Sequence, residues 1–197
     1  VISFFDSHQD AGAIGGKITP VYEEEEPAWM SRFLLPLVAG LDMGKEVREF
    51  PGSSYPIGAN IAFRREIFDK YGLFDESLGR RGTGLEGGDE KDMIYRIREG
   101  KEKVMYVPGV HVNHIIPAKR TDLDYIHGQA IGVGSSERKR LKNKGLKFRV
   151  AKIFSEFIKL SGSIVLAAFY LITLRPEKGI MLLRFRLWVS KGYFRAR

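Results

Sequence analysis

Two rhythms of apolar and polar residues run along the chain: short β-like runs cut by glycine and proline, and longer stretches at helical spacing. Residues 1–10 read as the end of a helix, and GAIGGKITPVY (12–22) as a short strand broken by glycines. EEEE (23–26) reads as a solvated loop. Residues 28–42 carry Trp29, Phe33, Leu34, Leu37 and Leu41 on roughly one helical face, which predicts core packing there. YPIGANIAF (55–63) reads as a strand with a glycine kink, and RREIFDKYG (64–72) as a short helix stopped by Gly72. GRRGTGLEGG (79–88) is too rich in glycine for either regular state. Residues 89–99 predict a helix that turns Met93, Ile94 and Ile97 inward. KVMYVPG (103–109) and VHVNH (110–114) predict strands interrupted by a Pro-Gly turn.

After about Gly134 the pattern changes. SSERKRLKNKGLKFRVAK reads as a strongly basic connector. From Ile153 the residues Ile153, Phe157, Leu160, Ile164 and Leu171 recur at helical spacing. The apolar run LSGSIVLAAFYLITL (160–174) is 15 residues long, short of the ~20 that cross a bilayer. GIMLLRFRLWVSKGYFRAR then mixes large apolar side chains with arginines.

Charge sharpens this division. The net charge of +8 is the sum of two unlike parts. Residues 1–136 hold 16 Lys and Arg against 21 Asp and Glu, a balance of −5. Residues 137–197 hold 16 against 3, a balance of +13. An acidic folded body with a basic, amphipathic helical tail fits contact with an anionic membrane surface. A tail binding nucleic acid, with Tyr193 and Phe194 stacking on bases, is the competing reading, but apolar residues dominate between the charges and no nucleic-acid motif is present. Cysteine is absent, which excludes disulfides and thiolate metal sites. VISFFDSHQD lacks the features of a signal peptide and an initiator methionine, so we expect the chain to begin within a longer protein.

The chemistry concentrates at Asp89, Glu90 and Asp92, three carboxylates directly after Gly87-Gly88. Acidic residues in a first helical turn complement the helix dipole, and capping alone explains many such clusters. Here a ten-residue glycine-rich stretch precedes them, so the backbone can move over a ligand. A carboxylate at the rim of such a loop can take a proton from an incoming hydroxyl.

In order, Gly58-Ala59-Asn60, Gly72-Leu73-Phe74-Asp75-Glu76, Asp89-Glu90, Asp92, Arg96-Ile97, Tyr106-Val107-Pro108 and His114 resemble the acceptor half of inverting, nucleotide-sugar-dependent glycosyltransferases of the family 2 type with the GT-A fold. The resemblance covers about residues 12–135. It implies an α/β fold: an incomplete GT-A-type mixed sheet flanked by helices, followed by C-terminal amphipathic and apolar helices. Residues 1–136 would be the acceptor-side half, and 137–197 the basic connector and membrane-associating tail. The family's Glu-Asp order is inverted here. Aligning on Asp92 and Arg96 puts Glu90 at the general-base position, with Asp89 beside it. Gly100 stands one place earlier than the family's helix-ending glycine.

The resemblance further implies that Glu90 or Asp89 deprotonates an acceptor hydroxyl, which attacks the anomeric carbon from the face opposite the leaving diphosphate. It implies Asn60, Gly58, Asp92 and Gly88 as substrate-binding residues, and Gly15 and Gly16 either as cleft lining or as simple turn residues. A divalent cation, Mg²⁺ or Mn²⁺, usually neutralises the diphosphate in such enzymes, and His114 matches a histidine that can reach it. Partners would be a nucleotide-sugar donor, a glycan or lipid-linked acceptor and an anionic membrane, with no nucleic acid, at the cytoplasmic face of the cell membrane. The family's Asp-x-Asp strand end has no counterpart, since Asp122-Leu123-Asp124 follows the carboxylate segment. We therefore expect an acceptor-side fragment that does not turn over a nucleotide sugar alone. A non-catalytic glycan-binding or scaffold protein on a transferase-like fold is the alternative.

Overall fold

The computed structural model of the chain describes residues 1–79, 88–142 and 145–195. It divides into two compact units: Val1–Val21, Val38–Ser77 and Asp89–Ile116 form the first, and Tyr22–Leu37, Leu78–Gly88 and Pro117–Arg197 the second.

The first unit is mixed α/β. Its elements are α1 (Ile2–Ser7), β1 (Ala11–Gly15), β2 (from Ile18, ending at Tyr22), β3 (Arg48–Glu49), β4 (Ile61–Phe63), α2 (Glu66–Tyr71), α3 (Asp89–Glu99), β5 (Lys103–Tyr106) and β6 (Val112–Ile116). The main sheet runs β3-β5-β1-β4. β1 pairs in parallel with β5 and antiparallel with β4, and β3 pairs antiparallel with β5. Every residue of β1 is buried, so Ala-Gly-Ala-Ile-Gly reads as a strand covered on both faces rather than as an alternating one. β2 and β6 form a separate two-stranded ladder. The core gathers Ala13, Val104 and Tyr106 from the sheet, Ile67 from α2, Phe50, and Met93, Ile94 and Ile97 from α3, the three α3 residues expected to face inward. Gly72 ends α2 with φ 78°, a left-handed conformation suited to glycine.

Gly15 and Gly16 owe their identity to packing. A Cβ on Gly15 would run into the Pro56 ring, and one on Gly16 would fall on the Val110 carbonyl. Backbone cannot yield as a side-chain tip can. Gly16→Ala is expected to destabilise the protein by at least about 1–3 kcal/mol, the usual cost of overpacking, read as a lowered midpoint in chemical denaturation.

Residues 28–42 pack inward as expected at Leu34 and Leu37, but through turns and one 3-10 turn at Leu35–Val38 rather than a helix. Pro36 removes a helical donor mid-segment, Ala39 takes φ 59°, and Phe33 is exposed. YPIGANIAF is not a kinked strand: Gly58–Asn60 make a 3-10 turn and Ile61–Phe63 alone pair. The basic connector is helical on both sides of residues 143 and 144, which lie outside the described residues. Residues 135–141 end α4 (Leu123–Leu141), and 145–152 begin α5 (Gly145–Ile172). Arginine and lysine are good helix formers, and here they pair along the helix: Arg140 with Glu137 at 3.1 Å, and Lys152 with Glu156 at 2.8 Å.

In the second unit α6 (Pro176–Arg195) packs on both α4 and α5. Gly134 on α4 and Gly192 on α6 let backbones meet, since a Cβ on either would strike the opposing main chain. Gly179 meets Ala167 in the same way, which makes α5 and α6 an antiparallel hairpin turned at Leu174 (φ 57°). The apolar run that looked too short belongs to a helix of 28 residues, long and apolar enough to cross a membrane. Only 6% of its most apolar window is buried.

Candidate functional site

Most of the glycine-rich loop, residues 80–87, lies outside the described residues. Gly88 is described and extended, with Ser136 Cβ 3.8 Å from where its own Cβ would stand. α3 then starts at Asp89, so Asp89, Glu90 and Asp92 all occupy its first turn, and each is half-buried.

Glu90 lies against the exposed backbone of Gly58, so closely that a Cβ there would collide with its Oε1. Glycine at position 58 therefore makes room for a carboxylate from a different element. Gly58→Ala tests this contact. The colliding atom is the far end of a flexible side chain, so stability should change little while the carboxylate is pushed aside. The expected outcome is a displaced Glu90 carboxylate at a nearly unchanged melting temperature, read by crystallography and thermal denaturation.

The other sequence candidates divide. Asn60 sits two residues beyond Gly58 and is buried. Its Nδ2 donates to the Lys17 carbonyl at 3.0 Å and the Val110 carbonyl at 2.8 Å, tying the start of the β2 ladder to the turn before β6. Lys17 also pairs with Asp42 at 2.8 Å, a contact that raises the lysine pKa and, with the Gly44 amide, lowers that of Asp42. Asp92 is engaged by Arg96, whose Nε stands 3.0 Å from Oδ2. The same guanidinium donates to the Tyr71 carbonyl at 2.5 Å and the Leu73 carbonyl at 3.0 Å, pinning the chain on either side of Gly72. His114 lies half-buried in β6. It is a single donor, and among the described residues no three His, Asp or Glu side chains converge as a metal site would require.

Sequence reasoning missed the arginines that build the site's surroundings. Arg98, two turns along α3 from Glu90, donates to the carbonyls of Gly52 (2.8 Å), Phe50 (2.9 Å) and Ser54 (2.6 Å). Lys91 stands 5.7 Å above the Tyr55 ring. α3 thus grips the segment 50–58 at three successive places: Arg98 on 50–54, Lys91 on Tyr55 and Glu90 on Gly58. Arg64 does similar work for the first helix, donating to the carbonyls of Phe5, His8 and Ala11. An arginine facing carbonyls across a loop leaves no periodic trace in sequence.

The chain is similar to a curated protein, a glucosyl-dolichyl phosphate glucuronosyltransferase of Haloferax volcanii, at 29% identity over 140 residues. A glycosyltransferase is thus a distant homologue of this chain. The aligned region covers 70% of the chain and 44% of the relative, so the chain spans less than half of that relative's length. No family model matches the chain, and no solved structure matches it.

Proposed function

We propose that the chain carries the acceptor side of an inverting, nucleotide-sugar-dependent glycosyltransferase of the GT-A type, with Glu90 as general base, working on a glycan or lipid-linked acceptor at a membrane surface. The observation that carries this reading is the Glu90 carboxylate, held half-buried against Gly58 at the start of a helix, in a chain similar to a glycosyltransferase. Glu90 takes the proton of the acceptor hydroxyl as its oxygen bonds to the anomeric carbon. The bond from that carbon to the nucleotide diphosphate breaks on the opposite face, and the configuration inverts. One carboxylate suffices for such a step, whereas glycoside hydrolysis uses two. Asp89 stands next in the chain as the residue that would take over if the geometry favoured the shorter side chain.

The relative is named for glucosyl-dolichyl phosphate, and a lipid-linked acceptor is our reading for this chain as well. The tail supports it. Phe154, Ile158, Val165, Phe169 and Ile172 make an exposed stripe along α5, and Ile180, Leu187 and Phe194, seven residues apart, make another along α6. We read the hairpin as lying in the membrane interface rather than crossing. A crossing would carry Lys178, Arg184 and Arg186 of α6 into the bilayer alongside α5, at several kcal/mol or more in sum.

The test is transfer by the full-length protein from a panel of nucleotide sugars to a polyprenyl-phosphate-linked sugar, with the anomeric configuration of the product read by NMR. An inverted product is expected. Retention of configuration, or binding of glycan without turnover under every donor, would remove the reading. The 197-residue chain alone is expected to be inactive in the same assay.

A further inference from the structure

The second, helical unit contains a cavity of about 230 Å³, none of whose lining residues is assigned to the transfer chemistry. It is lined by Trp29, by Leu123 at the start of α4, and by Glu177, Ile180, Met181 and Arg184 of α6. The four α6 residues follow one another at i+3, i+4 and i+7, so they share one face of that helix. Met181 is buried, Trp29 and Glu177 are half-buried, and Arg184 is exposed. A cavity of ~150 Å³ holds benzene, so this one accommodates a six-membered ring together with its substituents.

The polar groups at this cavity are unused. Among the described residues, the side chains of Trp29, Glu177 and Arg184 make no hydrogen bond and no ion pair. Elsewhere in the unit, Glu137 and Glu156 are each paired with cations one turn away. Glu177 and Arg184 stand two turns apart, about 10 Å along the helix axis, too far to pair with each other. A molecule lying between them meets a carboxylate that accepts at one end and a guanidinium that donates at the other. Their charges cancel, which favours a neutral ligand carrying both donors and acceptors. Trp29 adds a flat apolar face and an indole N–H donor. An aromatic face with a few convergent polar groups fits a sugar ring: its C–H face stacks on the indole, and its hydroxyls both donate and accept.

We propose that this cavity binds one neutral pyranose ring, the head of a lipid-linked saccharide, stacked on Trp29 with its hydroxyls shared between Glu177 and Arg184. The lipid attachment follows from Ile180, which lines the cavity and also belongs to the exposed stripe of α6 that faces the membrane interface. That attachment rests on the interfacial reading of the hairpin. The sugar site itself rests on neither that reading nor the base assigned to transfer.

Calorimetric titration of the full-length protein with hexyl β-D-glucoside, hexyl β-D-galactoside and hexyl β-D-mannoside, each below its micelle concentration, tests this. Saturable binding of at least one is expected, at least tenfold tighter than hexanol. For that glycoside, Trp29→Ala and Arg184→Gln should each weaken binding about tenfold or more. Arg184 is exposed, so its replacement should leave the melting temperature unchanged. The matching methyl glycoside is expected to bind more weakly, since the longer alkyl chain continues onto Ile180. Binding of none of the three, hexanol as tight as the glycosides, or unchanged binding by either variant would overturn the proposal. A methyl glycoside as tight as the hexyl one would overturn the lipid-linked source in favour of a free glycan. Because binding rather than turnover is read, a protein inactive in transfer still gives a decisive result.

Discussion

Glu90→Gln in the full-length protein is expected to lower the rate of sugar transfer by ~10²–10⁴-fold, the usual worth of a positioned general base. The substitution keeps the size of the side chain, so its packing against Gly58 survives and the melting temperature should move by no more than a few degrees. What it removes is the capacity to accept a proton at neutral pH. Asp89→Asn, made beside it, is expected to cost less than about tenfold, as a change to a helix end does. The reverse pattern would move the base to Asp89. Normal turnover by both variants would favour a glycan-binding protein without transferase chemistry.

What the sequence could and could not disclose follows from the kind of interaction at each place. α3 was legible to the residue because Met93, Ile94 and Ile97 repeat at helical spacing and the acids mark its first turn. Gly72 was legible as a stop for the same local reason. In 28–42 the apolar spacing disclosed that Leu34 and Leu37 would be buried, while Phe33 stays exposed because Pro36 rules out the helix that would have placed all five residues on one face. The basic run misled. Charge density suggested a linker, but Glu137 and Glu156 supply carboxylates at i+3 and i+4 spacing from the cations, and helix results. In the site, the candidate carboxylates could be named from order and spacing. Their environments could not. The Asp92–Arg96 pair is an i,i+4 contact that spacing allows, but that Asn60 spends its amide on two backbone carbonyls and that Gly58 lies under Glu90 are contacts between residues 32 to 50 positions apart, which no local pattern records.

The second large effect is expected at the membrane. Phe154, Val165 and Phe169 on α5 are 64%, 69% and 55% exposed, so their replacement by serine removes apolar surface without opening a cavity in the fold. Full burial of one such side chain is worth ~1.5–3 kcal/mol. Inserting the exposed part of three into a bilayer should then contribute at least about 3 kcal/mol, and their loss should weaken partitioning by about 100-fold or more. The basic residues act differently. Each Lys or Arg near an anionic leaflet adds about 1 kcal/mol of attraction, which salt screens. Flotation with vesicles containing phosphatidylglycerol therefore separates the two contributions. The parent protein is expected to float at low salt and, by its apolar stripe, still in part at high salt, whereas the triple-serine variant should float only at low salt. Failure of the parent to float at low salt, joined with salt-dependent binding to single-stranded DNA, would reassign the basic tail to nucleic acid. A parent protein that stays in the membrane fraction after alkaline carbonate extraction would instead mark α5 as a true span, with the arginines of α6 drawn in beside it.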